Sequence, residues 1–173
     1  MYTERILDLF KNPINAGGLK GANGVGKYVD DSCQDTIKIY LKIDENKIIT
    51  EARFKAVGGV CTIVAGSAIC SCLIDCNLDE AQSIDSERIY QVTGAFPKEK
   101  EYAIVIAQNA VKNAIANYFS QEEKNIKKTV ETVKVEQKNV SALKTQNKEI
   151  ASEVSQRRTV SPAKAAFDAL FDI

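Results

Sequence analysis

The sequence predicts an α+β domain, a small antiparallel three-stranded sheet with helices packed on it. Three observations carry that prediction. Residues 36–43, TIKIYLKI, alternate between Ile37, Ile39, Leu41 and Ile43 on one face and Thr36, Lys38, Tyr40 and Lys42 on the other, the period-2 pattern of a half-buried strand. After the turn Asp44-Glu45-Asn46, residues 47–57 alternate again, with Ile48, Thr50, Ala52, Phe54 and Ala56 opposite Ile49, Glu51, Arg53 and Lys55, which makes a hairpin with one dry and one wet face. Residues 61–76 are then apolar almost all round, as expected of a helix buried on the dry face.

The remaining elements follow in order. Residues 3–11, TERILDLFK, open on Thr3 as a candidate N-cap, place Ile6, Leu7 and Phe10 at helical spacing and stop before Asn12-Pro13. The Gly-, Asn- and Asp-rich stretch 12–35 reads as loop with one short strand near Gly24 to Val29. Short helical pieces are expected over 77–83 and 85–90. Beyond Pro97 a longer helix carries Ala103, Ile106, Ala107, Ala110, Val111, Ala114, Ile115 and Tyr118 at i, i+3, i+4 spacing. These elements make a domain over 1–120. Residues 121–160, dense in Lys, Glu, Gln, Asn and Ser, read as a charged flexible linker. In 161–173, Ser161 as N-cap, Pro162 at the first helical position and Ala166, Phe167, Leu170 and Phe171 on one side predict a short amphipathic C-terminal helix. It either docks into a groove of an unknown partner or folds back on the domain.

Composition narrows the function. Lys and Arg number 23 and Asp and Glu 23, so a formal net charge of zero gives no pull toward nucleic acid or an anionic membrane. Neither a signal peptide nor a membrane span is expected, and the default location is cytoplasmic. There, five cysteines read as free thiols or metal ligands rather than a disulfide framework. Histidine is absent, which excludes Ser-His-Asp and Cys-His catalysis.

Cys33 lies in a polar loop between acids, where a thiol has no packing role, so a metal or persulfide reading is favoured. Cys61 lies where the hairpin hands over to the buried helix. If that helix covers the end of the sheet, Cys33, Cys61 and Asp35 converge, and two thiolates with a carboxylate suit zinc or iron better than magnesium. Asp35 alone equally suits a turn cap, and Cys61 a small buried side chain. Cys70, Cys72 and Cys76 read as core packing, with 72 and 76 sharing a helix face.

Four segments resemble the IscU and NifU amino-terminal iron-sulfur scaffold family: FKNPINAG (10–17), SCQDTIKIYLKID (32–44), ARFKAVG (52–58) and AQNAVKNAIANY (107–118). They stand in the family's order over residues 1–120. The resemblance implies a carrier, not an enzyme, that builds a [2Fe-2S] cluster or holds iron, takes sulfur from a cysteine desulfurase and passes the cargo to apo iron-sulfur acceptor proteins. Cys33 and Asp35 match the family's first cysteine and its aspartate, and Lys100 its nearby lysine. Gly59 stands at the second cysteine position with Cys61 two residues on, while Tyr102 and Ala103 replace a histidine and the third cysteine. The segment through which the family meets an Hsp70-type chaperone is here Phe96-Pro97-Lys98-Glu99-Lys100. Two other readings accompany these departures. One is a paralogue without a cluster that acts through its surface on assembly partners. The other is a zinc-binding sulfur acceptor.

Overall fold

The structure is a computed structural model that describes residues 2–127. The chain divides into two units, Met1–Glu123 and Lys124–Ile173. Of the second unit only 124–127 are described, and they are helical. Of the linker expected over 121–160, residues 121–127 are helical instead; its remainder and the terminal helix expected over 161–173 lie outside the described residues.

Helix α1 (Glu4–Lys11) begins where Thr3, in extended conformation, accepts a hydrogen bond from the Ile6 amide, and it ends at Asn12. Ile6 and Leu9 are the residues it buries, whereas Leu7 and Phe10 stay 39% and 38% exposed. The apolar stripe expected from Ile6, Leu7 and Phe10 is therefore rotated, because Leu9 competes for the core.

Three antiparallel strands follow in spatial order β1-β2-β3: β1 (Gly24–Val29), β2 (Thr36–Ile43) and β3 (Ile49–Val57). In β2 the alternation holds, with Ile37, Ile39, Leu41 and Ile43 all buried. In β3 the expected faces hold for Ala52 and Phe54 but reverse at the start, where Ile49 is buried and Thr50 exposed. A register shift explains the reversal: Lys42 pairs with Glu51 and Ile43 with Ile49, so Thr50 is the extra residue of a bulge. One added residue flips the parity of everything before it.

Beyond the Gly58-Gly59 corner, α2 (Val60–Leu73) lies on the dry face of β3 and β2, with α1 and α4 (Ser86–Thr93) against it. Eleven of its fourteen residues are buried, so it has no polar face to present to water. The helix stops at Leu73, short of the expected residue 76. Asp75, at φ 66°, turns the chain, so that Asp75 donates to and Cys76 accepts from the backbone of Ile49. The short α3 (Leu78–Gln82) is held by a reciprocal cap between Asn77 and Glu80.

A 3-10 turn (Lys98–Lys100) leads into α5, which covers 102–123 of the first unit. Every residue of its expected apolar stripe, from Ala103 to Tyr118, is buried. The helix does not end at 118, and Lys47 at the hairpin tip reaches back to it, bonding Tyr118 Oη at 3.0 Å and pairing with Glu122. Close approach to β1 depends on Gly26, where a Cβ would sit 2.1 Å from the Ala114 amide nitrogen. Asn117 Oδ1 accepts from the Val25 amide at 3.2 Å, and Asn113 Nδ2 donates to the Lys27 carbonyl at 2.9 Å.

The loop after α1 runs beside β3. Phe54 donates to the Asn15 carbonyl at 3.0 Å and accepts from the Gly17 amide at 2.8 Å. Ser67 of α2 fixes the same loop by accepting from the Ile14 amide at 2.8 Å and donating to the Ile14 carbonyl at 3.0 Å.

Candidate functional site

The turn between β1 and β2 is organised by Asp30. Its Oδ1 accepts from the amides of Ser32 (2.9 Å) and Cys33 (3.1 Å) and from the Cys33 thiol (3.4 Å). Its backbone amide donates to the Asp35 carbonyl at 2.9 Å, and its carbonyl accepts from Gln34, whose φ of 60° closes the loop. Donation from the Cys33 amide is the chief reason that the Asp30 carboxyl lies below its ordinary range, with the Cys33 thiol and the Ser32 amide adding to it. The turn presents Cys33 exposed to solvent, and the other four cysteines are buried.

Asp35, two residues on, faces inward. Thr62 Oγ1, in the first turn of α2, donates to Asp35 Oδ2, and Tyr102 Oη at the start of α5 donates to the same oxygen at 3.4 Å. Gly58 makes room for the carboxylate, since a Cβ there would lie 2.6 Å from Asp35 Cγ. The sheet corner, α2 and α5 thus meet on one buried acid.

Cys61 is also buried, but toward different neighbours. Burial pushes its thiol up, against the smaller opposing effects of the Lys100 charge and a hydrogen bond from Tyr2. Lys100 Nζ lies 5.6 Å from the centre of the Tyr102 ring, and Tyr102 is the main reason that its ammonium is held above the ordinary range. The Tyr102 phenol is pushed up first by burial and then by the Asp35 charge, with Lys100 opposing.

Tyr102 therefore stands at the centre, bonded to Asp35, beside Lys100 and within electrostatic reach of Cys33. Cys33, Asp35 and Cys61 do not converge as the sequence suggested. Among the described residues no three His, Cys, Asp or Glu side chains are grouped so as to hold a metal ion. The physical reason is that Asp35 satisfies its buried charge with Thr62 and Tyr102, and Cys61 packs toward Tyr2 and Lys100. Cys70, Cys72 and Cys76 are buried as expected. Sequence reasoning missed Asp30, Thr62 and Tyr2. An aspartate three residues before Cys33 in a polar loop was a legible turn signal, whereas Thr62 and Tyr2 reach the site only through tertiary packing.

A three-stranded antiparallel sheet with helices packed on it is the architecture of the IscU/NifU-type scaffolds. The chain belongs to the NifU-like N terminal domain family, whose model matches residues 1–125. It is 34% identical over 122 residues to nitrogen fixation protein NifU of Azotobacter chroococcum, a match covering 70% of this chain and 40% of that protein. The chain thus spans well under half the length of that relative. It is 32% identical over 125 residues to iron-sulfur cluster assembly scaffold protein IscU of Escherichia coli K12, covering 70% of this chain and 97% of the relative. Among solved structures, the amino-terminal part of a nitrogen-fixing NifU-like protein from Brucella abortus superposes with a TM-score of 0.55 at 15% identity, covering 68% of this chain and 94% of the other. No helix among the described residues is long and apolar enough to cross a membrane.

Proposed function

We propose that this chain is a carrier in iron-sulfur cluster assembly that accepts sulfur at Cys33, holds it or an iron-sulfur cargo beside Asp35, and passes it on. The observation that carries this reading is the presentation of Cys33. It is the exposed thiol of the five, fixed at the tip of a turn two residues from a buried carboxylate, at the positions where the resemblance to scaffolds puts a cysteine and an aspartate.

The sulfur donor would be the persulfide of a cysteine desulfurase. Cys33 sulfur attacks the outer sulfur, the donor's S–S bond breaks, the donor leaves as a thiolate, and Cys33 carries the persulfide. Lys100, which lies over the Tyr102 ring, would supply positive charge on the Tyr102 side of the site. Cargo built on iron, whether one ion or a [2Fe-2S] cluster, asks for more ligands than Cys33 provides as placed. Asp35 would have to leave Thr62 and Tyr102, and Cys61 would have to turn outward. A second reading, a zinc-binding sulfur acceptor, needs the same three residues. Apo iron-sulfur proteins are the expected recipients, in the cytoplasm. An Hsp70-type chaperone would have to recognise Phe96-Pro97-Lys98-Glu99-Lys100.

Anaerobic incubation of the full chain with a desulfurase, cysteine and ferrous iron tests this. Sulfane sulfur should appear on Cys33 and be lost in Cys33→Ala. Visible absorption with bound iron and sulfide that also disappears in Cys61→Ala would identify Cys61 as a cluster ligand. Persulfide at Cys33 without stoichiometric metal would favour the pure sulfur carrier. Neither persulfide nor metal on the wild-type chain would end the proposal.

A further inference from the structure

A second thiol pair lies apart from Cys33, around Arg88. Cys72 is in the last turn of α2, and Cys76 follows the turn made by Asp75. The Cys76 thiol donates to the Cys72 carbonyl at 3.1 Å, which folds its sulfur back onto the turn that carries Cys72. Arg88 of α4 contacts both: its Nη2 donates to Cys76 Sγ at 3.3 Å, and its carbonyl accepts from the Cys72 thiol at 3.7 Å. Both sulfurs thus sit against one residue, Arg88, and beside the turn that follows α2. They are 7% and 4% exposed, beneath an Arg88 that is itself exposed. Cys70, two residues before Cys72, is fully buried.

We propose that Cys72 and Cys76 are a peroxide-oxidised dithiol, in which Cys76 is the attacked sulfur, Cys72 the resolving one and Arg88 the residue that positions the pair. Cys76 sulfur attacks one oxygen of hydrogen peroxide. The O–O bond breaks, the hydroxide that leaves takes the thiol proton to become water, and Cys76 becomes a sulfenic acid. Cys72 sulfur then attacks that sulfur, the S–O bond breaks, and a second water leaves as the disulfide forms. Two thiols and one peroxide thus give one disulfide and two waters. The guanidinium places a cationic donor against the attacking sulfur, and a charge-assisted contact of this kind is the strong sort. Burial raises the Cys72 thiol, which suits the resolving role more than the attacking one.

The test treats the full-length, reduced wild-type chain with limiting hydrogen peroxide, alkylates remaining thiols and cleaves before Asp75, which separates the two cysteines. The expected product is the Cys76 peptide joined to Cys72, about 2 Da lighter than the sum of its reduced parts. Cys72→Ser should accumulate a dimedone-reactive sulfenic acid at Cys76, while Cys76→Ser should leave Cys72 reduced at the same dose. Arg88→Gln should slow disulfide formation about tenfold, the scale of one charge-assisted hydrogen bond, and Arg88→Lys should recover part of the rate. Oxidation confined to Cys33, a bridge from Cys76 to Cys70, sulfenic acid on Cys72 in Cys76→Ser, or an unchanged rate in folded Arg88→Gln would each overturn the proposal.

Discussion

At the scale of single residues, the turn around Cys33 separates two jobs between two acids. Asp30 is half-buried and spends its oxygen on the amides that hold the loop shape. Asp35 is buried and depends on Thr62 and Tyr102. A buried carboxylate that loses a donor is costly, because desolvation is no longer offset. Thr62→Val keeps the shape and removes the hydroxyl, and it should lower the unfolding free energy by about 1–3 kcal/mol. Urea denaturation checks this, and an unchanged midpoint would mean that Tyr102 alone suffices. Cys33 was legible as a thiol without a packing role, and Asp35 became a candidate only through the resemblance, since by itself it equally suits a turn cap. Their partners were not: Thr62 is 27 residues from Asp35 and Tyr102 is 67 away, and no local pattern encodes such a meeting.

At the scale of elements, the period of the apolar residues located β2 and the stripe of α5, since burial on one face is what makes those patterns. It failed where geometry breaks the period. The bulge at Thr50 exchanged the faces of Ile48 and Ile49, and α1 buried Leu9 in place of Leu7 and Phe10. The end of α5 was also beyond reach, because after Phe119 the stripe gives way to Ser, Gln and Glu and the hold on them comes from Lys47, distant in sequence. The contact between α5 and β1 rests on Gly26, whose missing side chain lets the backbones of Ala110 and Ala114 approach. Gly26→Ala forces a methyl group into backbone, which cannot give way as a flexible side chain would. The expected loss is about 3 kcal/mol, measured by chemical denaturation. A loss under about 0.5 kcal/mol, the range of neutral surface changes, would show that helix and strand can separate freely.

At the scale of the whole molecule, buried thiols give the fold a dependence on pH that its balanced charge does not suggest. Burial raises Cys61, Cys70 and Cys72 above the ordinary thiol value of 9.0. The folded chain then holds protons that the unfolded chain gives up. Their contribution is fully present below pH 9 and declines as pH rises from there toward the raised values, by about 1.4 kcal/mol per pH unit for each fully buried thiol. The raised Lys47 and Lys100 act in the same direction, though both are reached by solvent and contribute less. Under reducing conditions the urea midpoint should therefore fall between pH 8 and pH 10.5. Cys70→Ala should flatten that fall as well as lowering the starting stability. An equal slope in the variant would mean that Cys70 is not a source of the dependence.

The bonds made by the loop after α1 and by α5 bear on a hazard that every small open sheet faces, since its outermost strands offer unpaired backbone to any other chain. Here β3 has its outward groups taken at Phe54 by Asn15 and Gly17, and at Ile49 by Asp75 and Cys76. On the other side, β1 gives Val25 to Asn117 and Lys27 to Asn113. Asn15 and Gly17 fall within FKNPINAG, and Asn113 and Asn117 within AQNAVKNAIANY, two of the segments by which the chain resembles its relatives. Part of that likeness thus also guards the sheet edges against strand-to-strand aggregation, a task of the backbone that does not depend on which side chains the site beyond the Gly58-Gly59 corner carries.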